Sequence, residues 1–193
     1  MSFSVSFNDL FSRVYVVNEV LSSASRAALV RNALTGLENI PVHYIDGAEE
    51  IPREYLNQRT LVVSMDHGNM LRPCPGSRGQ VCCNYLTLNV YGGCTLGCSY
   101  CIMKHYLNYQ PITVAVNVED AVKSLTALAE KHPDRIFRAG TGETGDSLLL
   151  DPLFRISRRF IEAFAPYGNI RFEVKTKTSF VDHLLGIKGK GNA

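Results

Sequence analysis

The chain has 193 residues, of which 46% are hydrophobic, and this suits one or two globular domains with a substantial core. Its formal net charge of +2 excludes a polycation of the kind that coats nucleic acid. No apolar run approaches the roughly 20 residues that cross a bilayer, and no basic start followed by an apolar stretch indicates a secretion signal. We therefore expect a cytoplasmic protein with no membrane partner.

The first 84 residues are predicted to form an N-terminal α/β unit, because helical and strand-like apolar patterns follow one another. The predicted helices are Glu19–Leu34 and Ile51–Arg59, and the predicted strands are Ile40–Ile45 and Thr60–Met65. Residues 66–84 contain glycines, prolines and three of the six cysteines. This composition predicts an ordered connecting loop at the end of the unit.

Residues 85–193 are predicted to form a second domain of alternating strands and helices. A strand at 85–92 leads into a glycine-containing loop. Later strands are predicted at Ile112–Val118, Arg135–Ala139 and Ile170–Thr176, and helices at about 119–132, Asp151–Ala165 and Ser179–Leu185. Asp151 is expected to cap its helix, with Pro152 at the first helical position. The alternation implies a parallel sheet with helical crossovers, but about three βα units are too few to close a barrel.

The basic residues are unevenly distributed along this second domain. Residues 151–193 contain eight Lys or Arg residues against four Asp or Glu residues. The excess is compatible with a phosphate-bearing partner. A solvated helix face followed by a tail with Lys188 and Lys190 explains it equally well.

A run of three cysteines is the most specific motif. Cys94, Cys98 and Cys101 have C-x3-C-x2-C spacing, and Tyr100 directly precedes the third cysteine. Three thiolates can hold three irons of a four-iron cluster and leave the fourth iron open to a ligand. Ordinary buried cysteines, or a zinc site that also uses His67, Cys74, Cys82 or Cys83, are the alternatives. Without an export signal, six cysteines favour metal or catalysis over disulfides.

A glycine-rich run with an acid follows a later predicted strand. It consists of Gly140, Thr141, Gly142 and Glu143. Its glycines permit close approach of the backbone to a ligand, and its carboxylate can pair with an ammonium group. A glycine-rich βα turn with an incidental acid is the alternative interpretation.

Residues 94–101 match the signature of the radical S-adenosylmethionine superfamily, and the chain resembles that superfamily. The resemblance implies a [4Fe–4S] cluster whose open iron binds S-adenosylmethionine. An electron from the reduced cluster would then cleave this cosubstrate to a 5′-deoxyadenosyl radical, which abstracts a hydrogen from the substrate. It further implies that the run Gly140–Glu143 receives the methionyl amino group.

Within the superfamily, the chain resembles the spore photoproduct lyase family. The runs that carry this resemblance are Val116–Asp120, Thr144–Asp151, Thr176–Lys177 and Val181–Leu185. The resemblance implies a small N-terminal α/β unit followed by the first half of a partial (β/α)6 barrel. It implies that Lys177, or else Lys175, contacts the carboxylate of S-adenosylmethionine and that Tyr100 packs near the adenine. Implied partners are DNA and an electron donor such as flavodoxin or ferredoxin.

Two residues depart from the family pattern. The lyase proper has a hydrogen-donating cysteine where this chain has Glu143, and a tyrosine where it has Ile102. We therefore expect a different final step or a different substrate. The candidate substrates are DNA, a protein, RNA and a small molecule. The remaining alternative is a module that binds metal without catalysis. Other residues can contribute a hydrogen donor, a second metal site or base stacking, or can be purely structural: Cys74, Cys82, Cys83, His105, Tyr106 and Tyr109.

Overall fold

The computed structural model describes residues 6–76, 79, 81, 83–107 and 111–187. Some residues with predicted roles lie outside these described residues: Cys82, Tyr109, Lys188 and Lys190. Among the described helices, none combines the length and the apolar character needed to cross a membrane.

Strands and short helices alternate along the described chain. The strands are β1 (Arg13–Val17), β2 (Val42–Ile45), β3 (Thr60–Ser64), β4 (Leu71–Pro73), β5 (Leu86–Leu88), β6 (Tyr91–Gly92), β7 (Ile112–Ala115), β8 (Phe137–Gly140) and β9 (Ile170–Glu173). The α-helices are α1 (Phe7–Leu10), α2 (Ala24–Leu34), α3 (Met103–Tyr106), α4 (Val118–Lys131), α5 (Asp151–Phe154) and α6 (Ile156–Phe164). Short 3-10 turns lie at Asn18–Ser22, Thr35–Leu37, Ala48–Glu50, Arg53–Tyr55 and Asp182–Leu184.

The described strands form two sheets. The first has five strands in the order β2-β1-β3-β7-β6 and is parallel except for β6, which runs antiparallel to β7. The second has four strands in the order β4-β5-β8-β9 and is parallel except for β4, which runs antiparallel to β5. The predicted parallel sheet with crossovers is therefore present.

Both faces of the first sheet are covered, as expected for parallel strands. Alternate residues of β1 point to opposite faces, so Val14 and Val16 join the main hydrophobic core while Tyr15 and Val17 join a smaller cluster with Ile45. The main core also includes residues of the second sheet, such as Ala139 of β8 and Ile170 of β9. Helix α6 packs on β9 through the rings of Phe160, Phe164 and Phe172, whose centroids lie 5.4–5.7 Å apart.

Several predicted elements are shorter or divided in the structure. The helix predicted at Glu19–Leu34 is interrupted, because Ser23 is extended and the Ser22 hydroxyl donates a hydrogen bond to the Glu19 carbonyl oxygen (2.7 Å). The strand predicted at 85–92 divides into β5 and β6, which belong to different sheets. The helix predicted at Ile51–Arg59 is one 3-10 turn, as is the helix predicted at Ser179–Leu185.

The helix predicted at Asp151–Ala165 is two helices, because Arg155 between α5 and α6 has a left-handed backbone (φ 52°). The expected cap at Asp151 is wrong. Leu150 occupies the N-cap position, and Asp151 lies in the first turn with its side chain fully buried. Strands β1 and β4 were not predicted from the sequence.

The predicted division of the chain into 1–84 and 85–193 stays a prediction. The sheets do not follow it, because β6 and β7 lie beyond residue 85 and yet pair within the sheet of the N-terminal strands.

Candidate functional site

Three loops and helix α3 line a cavity of about 370 Å³ that is open to solvent on one side. The loops follow β6, β8 and β9, and they carry the cysteine run, the glycine-rich run and the segment that contains Lys177. Loops after strands are the usual ligand-binding elements of such sheets. The volume lies in the range of sites that bind small molecules.

The three cysteines of the run all line this cavity and are all half-buried. The loop begins at Gly93, whose φ of 77° suits glycine and where a Cβ atom would lie 2.9 Å from the Ile112 side chain. It ends where the amide of Cys101 donates to the Cys98 carbonyl oxygen (3.2 Å) at the start of α3. Burial raises the pKa of the Cys94 thiol, so without a bound cation this side chain is protonated near neutral pH.

The side chains of Cys94, Cys98 and Cys101 all border the same cavity. In the described ranges, no group of three or more His, Cys, Asp or Glu side chains is arranged to hold a metal ion. Three thiols on one short loop are nevertheless a donor set that suits an iron–sulfur cluster.

The glycine-rich run divides between the cavity and the protein interior. Gly142 and Glu143 line the cavity, while Gly140 and Thr141 are buried. A Cβ atom at Gly140 would collide with the Tyr85 hydroxyl and with the backbone of β9. Gly142 has φ 88°, and a Cβ atom there would lie 2.6 Å from the hydroxyl of Ser147. The first glycine therefore serves strand packing, and only the second lies at the cavity wall.

Glu143 and Lys177 place opposite charges on the same cavity. Glu143 is half-buried and Lys177 is exposed. Neither charged group has a hydrogen-bond or ion-pair partner within the described part of the chain. Lys175 also lines the cavity, but its ammonium nitrogen lies 4.2 Å from the centroid of the Tyr85 ring. This cation–π contact makes Lys175 less available than Lys177 to a ligand.

Asp146 holds the Lys177 segment against the glycine-rich loop. One carboxylate oxygen accepts hydrogen bonds from the amides of Leu148 and Leu149 (2.9 and 3.0 Å) and from the Thr176 hydroxyl (2.8 Å). The other oxygen accepts the amide of Lys177 at 2.6 Å. Sequence reasoning assigned no role to this residue, although it lies within the run Thr144–Asp151 that carries the family resemblance.

Ser147 makes a second connection between the same two loops. Its hydroxyl oxygen accepts hydrogen bonds from the Thr141 hydroxyl (2.8 Å) and from the amide of Lys175 (2.9 Å). Its own amide donates to the Lys175 carbonyl oxygen (3.0 Å). The glycine-rich loop and the segment after β9 therefore form one hydrogen-bonded unit on which Glu143 is placed.

Apolar side chains are exposed around the cysteine loop. Tyr100, Ile102 and Tyr106 are 75%, 62% and 70% exposed, and the first two line the cavity. Tyr100 is thus available to a flat ligand, and Ile102 presents no hydroxyl there. His105 is exposed on the neighbouring helix α3.

The remaining candidate ligands lie away from the cavity lining. Cys74 and Cys83 lie near Tyr85, and the amide of Cys74 donates to the Tyr85 carbonyl oxygen (2.8 Å). Burial above all raises the pKa of Tyr85 to about 12. Its hydroxyl is buried and has no partner among the described residues. His67 is paired with Glu19 at 2.8 Å, and His67, Cys74 and Cys83 lie outside the cavity lining.

The three-cysteine loop and the glycine-rich, acidic loop line one cavity at the ends of sheet strands, as the resemblance to the radical S-adenosylmethionine superfamily implies. The family model of spore photoproduct lyase matches residues 14–193. The chain therefore belongs to the spore photoproduct lyase family. No curated protein sequence matches it.

Solved structures of spore photoproduct lyase share its fold. A variant with bound AdoMet and dinucleoside spore photoproduct has a TM-score of 0.77 and 23% identity, over 94% of this chain and 54% of that one. The lyase complexed with dinucleoside spore photoproduct has a TM-score of 0.78 and 22% identity, over 97% of this chain and 55% of that one. The chain thus spans about half the length of these relatives. The predicted fold class, an α/β unit followed by the first half of a partial (β/α)6 barrel, is confirmed.

Proposed function

We propose that the chain acts as a radical S-adenosylmethionine enzyme whose cofactor site is the cavity between the three loops. The observation that carries this proposal is that all three cysteines line the same cavity as Glu143 and Lys177. Cys94, Cys98 and Cys101 would hold a [4Fe–4S] cluster by their thiolates. Metal binding would favour the thiolate of Cys94 despite the burial that raises its pKa.

When bound, the reduced cluster supplies the electron that cleaves S-adenosylmethionine to a 5′-deoxyadenosyl radical. The chain itself binds and orients this cosubstrate. The methionyl end carries an ammonium and a carboxylate, which complement the unpaired Glu143 carboxylate and Lys177 ammonium at the cavity. The exposed ring of Tyr100 would pack against the adenine.

Gly140 and Thr141 contribute indirectly. They are buried behind the cavity, where the Thr141 hydroxyl donates to Ser147 and the absent side chain of Gly140 leaves room for Tyr85. Gly142 lies at the cavity wall directly before Glu143, and its positive φ makes a turn in the backbone there. These contacts would fix the position of Glu143 relative to the cysteine loop.

For the substrate, we propose a nucleic acid lesion, because the related lyase binds a dinucleoside spore photoproduct. The exposed aromatic rings of Tyr100 and Tyr106 beside the cavity could stack on bases. The final hydrogen transfer would differ from that of the lyase, since Ile102 has no hydroxyl and Glu143 has no thiol. The electron would come from a small redox protein such as flavodoxin or ferredoxin.

Anaerobic reconstitution with iron and sulfide tests this proposal. We expect about four irons and four sulfides per chain, and 5′-deoxyadenosine after reduction with S-adenosylmethionine present. Cys98→Ala should lose both. Cys83→Ala is the matched control, because Cys83 is a free, exposed cysteine outside the cavity lining.

Two results would contradict the proposal. One is that Cys98→Ala and Cys83→Ala form equal amounts of 5′-deoxyadenosine. The other is that the anaerobically purified chain binds zinc and does not bind iron, which would indicate a metal-binding module without this chemistry. Salt-sensitive binding to damaged duplex DNA would support the nucleic acid substrate, and tighter binding to a peptide or a small molecule would replace it.

A further inference from the structure

A buried carboxylate outside the cavity joins three separate segments of the chain. Asp151 is 0% exposed. Its Oδ1 atom accepts hydrogen bonds from the Tyr91 hydroxyl (3.0 Å) and the amide of Ser157 (2.8 Å). Its Oδ2 atom lies 2.6 Å from Nε2 of His183. A buried charge is tolerated only when such partners compensate it, so all three contacts constrain their segments.

The first segment leads into the cysteine loop. Tyr91 lies three residues before Cys94, and its carbonyl oxygen accepts the hydroxyl of Thr144 (3.0 Å). The next contact along is between the Gly93 amide and the Thr144 carbonyl oxygen (3.0 Å). Burial above all, together with the carboxylate of Asp151, raises the pKa of Tyr91 well above its usual value. The hydroxyl therefore stays protonated and donates to the carboxylate.

The second segment is the one that carries Lys177. His183 lies six residues further along, in the turn Asp182–Leu184, and its side chain is only 9% exposed. Asp146 holds the near end of this segment through the amide of Lys177. Asp151 holds the far end through His183. The third segment, α6, receives the same carboxylate at its first turn through the amide of Ser157.

We propose that Asp151 is a positioning residue that couples the cysteine loop to the Lys177 segment. The inference rests on the proposed function of the cavity, because the two coupled segments carry the proposed cluster ligands and the proposed carboxylate contact. One carboxylate holds both segments. Loss of either donor therefore loosens the other segment as well, although Tyr91 and His183 belong to different parts of the fold.

Backbone hydrogen exchange of the chain without iron or S-adenosylmethionine tests the coupling directly. Tyr91→Phe removes only the hydroxyl, and His183→Leu removes the imidazole at similar volume. Each variant should speed exchange about tenfold in both 92–98 and 181–187, as expected for loss of a hydrogen bond to a charged group. Tyr15→Phe, at a buried tyrosine of β1, is the matched control and should leave both segments unchanged.

The coupling between the two segments should also vanish when Asp151 itself is replaced. In an Asp151→Asn background, Tyr91→Phe and His183→Leu should no longer affect each other's segment. If Asp151→Asn does not fold, the two single variants still decide the matter. Exchange that rises only next to the substituted residue, in both single variants, overturns the inference.

A spectroscopic readout separates positioning from general stability. In the reconstituted, reduced protein, S-adenosylmethionine is titrated and the change in the electron paramagnetic resonance spectrum is followed. The cosubstrate concentration that gives half of this change should be about tenfold higher in Tyr91→Phe than in Tyr15→Phe. Equal requirements would contradict a positioning role. If the cosubstrate changes no spectrum in the unsubstituted chain, the proposed function fails, and the exchange experiment alone decides whether Asp151 couples the two segments.

Discussion

Replacing Asp146 by asparagine changes one atom of a carboxylate that accepts four hydrogen bonds. The amide oxygen of the new side chain can keep the three donors that now meet Oδ1. The amide nitrogen must then face the N–H of Lys177, whose nitrogen now lies 2.6 Å from Oδ2. Two donors would oppose each other there, so the segment that carries Lys177 should detach from the glycine-rich loop.

The expected size follows from the type of bond that is lost. A hydrogen bond to a charged group contributes about 1.5–3 kcal/mol, so the free energy of unfolding should fall by about 2 kcal/mol. If the segment holds the cosubstrate, the dissociation constant of S-adenosylmethionine should rise roughly ten- to hundredfold in the reconstituted protein. Urea denaturation measures the first quantity, and equilibrium dialysis measures the second.

Asp134→Asn is the matched control, because Asp134 is exposed and has no partner in the described part of the chain. It should change the free energy of unfolding by less than about 0.5 kcal/mol. If Asp146→Asn unfolds and binds S-adenosylmethionine as Asp134→Asn does, then the carboxylate does not hold the segment in place.

Three further predictions concern the cavity lining and the buried Tyr85 behind it. Lys177→Ala should raise the KM for S-adenosylmethionine at least tenfold more than Lys175→Ala, because only Lys175 is engaged with an aromatic ring; equal effects in steady-state kinetics would contradict this. Gly145→Ala should lower the free energy of unfolding by about 1–3 kcal/mol, because its Cβ would lie 2.8 Å from the Gly93 carbonyl oxygen. Gly168→Ala is the control, because a Cβ there would meet no atom within 4 Å, and its free energy of unfolding in urea should be nearly unchanged. Tyr85→Phe should be neutral or stabilising by about 1 kcal/mol, because it removes a buried hydroxyl that lacks a described partner. The pKa of Tyr85 is about 12 in the folded state against the ordinary 10.0. The difference contributes to stability below pH 10, and this contribution is lost as the pH rises to about 12. The free energy of unfolding of Tyr85→Phe should therefore decline less over this interval than that of the unsubstituted chain.

The parts of the site that were predictable from sequence are those that local spacing determines. The three cysteines lie close together in the sequence, and so do Gly142 and Glu143; the structure brings these two groups to one cavity with Lys177. The role of Asp146 was not predictable in this way. Its partners at Thr176 and Lys177 are 30 and 31 residues away, and only the pairing of β8 with β9 brings them near.

The failures in the fold have a similar origin. Asp151 has the sequence features of a helix cap, but its carboxylate contacts Tyr91 and His183, which are 60 and 32 residues distant. The alternating residues 85–92 predict one strand, and nothing local indicates that β5 and β6 join different sheets. Strand β1 is a different case, because the β-branched residues within Arg13–Val17 are a local strand signal and β1 was predictable from them.

Between β5 and β6 the chain returns to the sheet of the N-terminal strands, and this affects how the protein can fold. Strand β7 pairs with β3, so β3 lacks its second neighbour until residues beyond 110 have been synthesised. A chain cut after residue 84 would leave β3 as an open edge, with Leu61 and Val63 deprived of part of their cover. Exposed edges of this kind invite pairing with other chains. We therefore expect the N-terminal residues alone to aggregate rather than fold, and cooperative unfolding of both sheets in the intact chain.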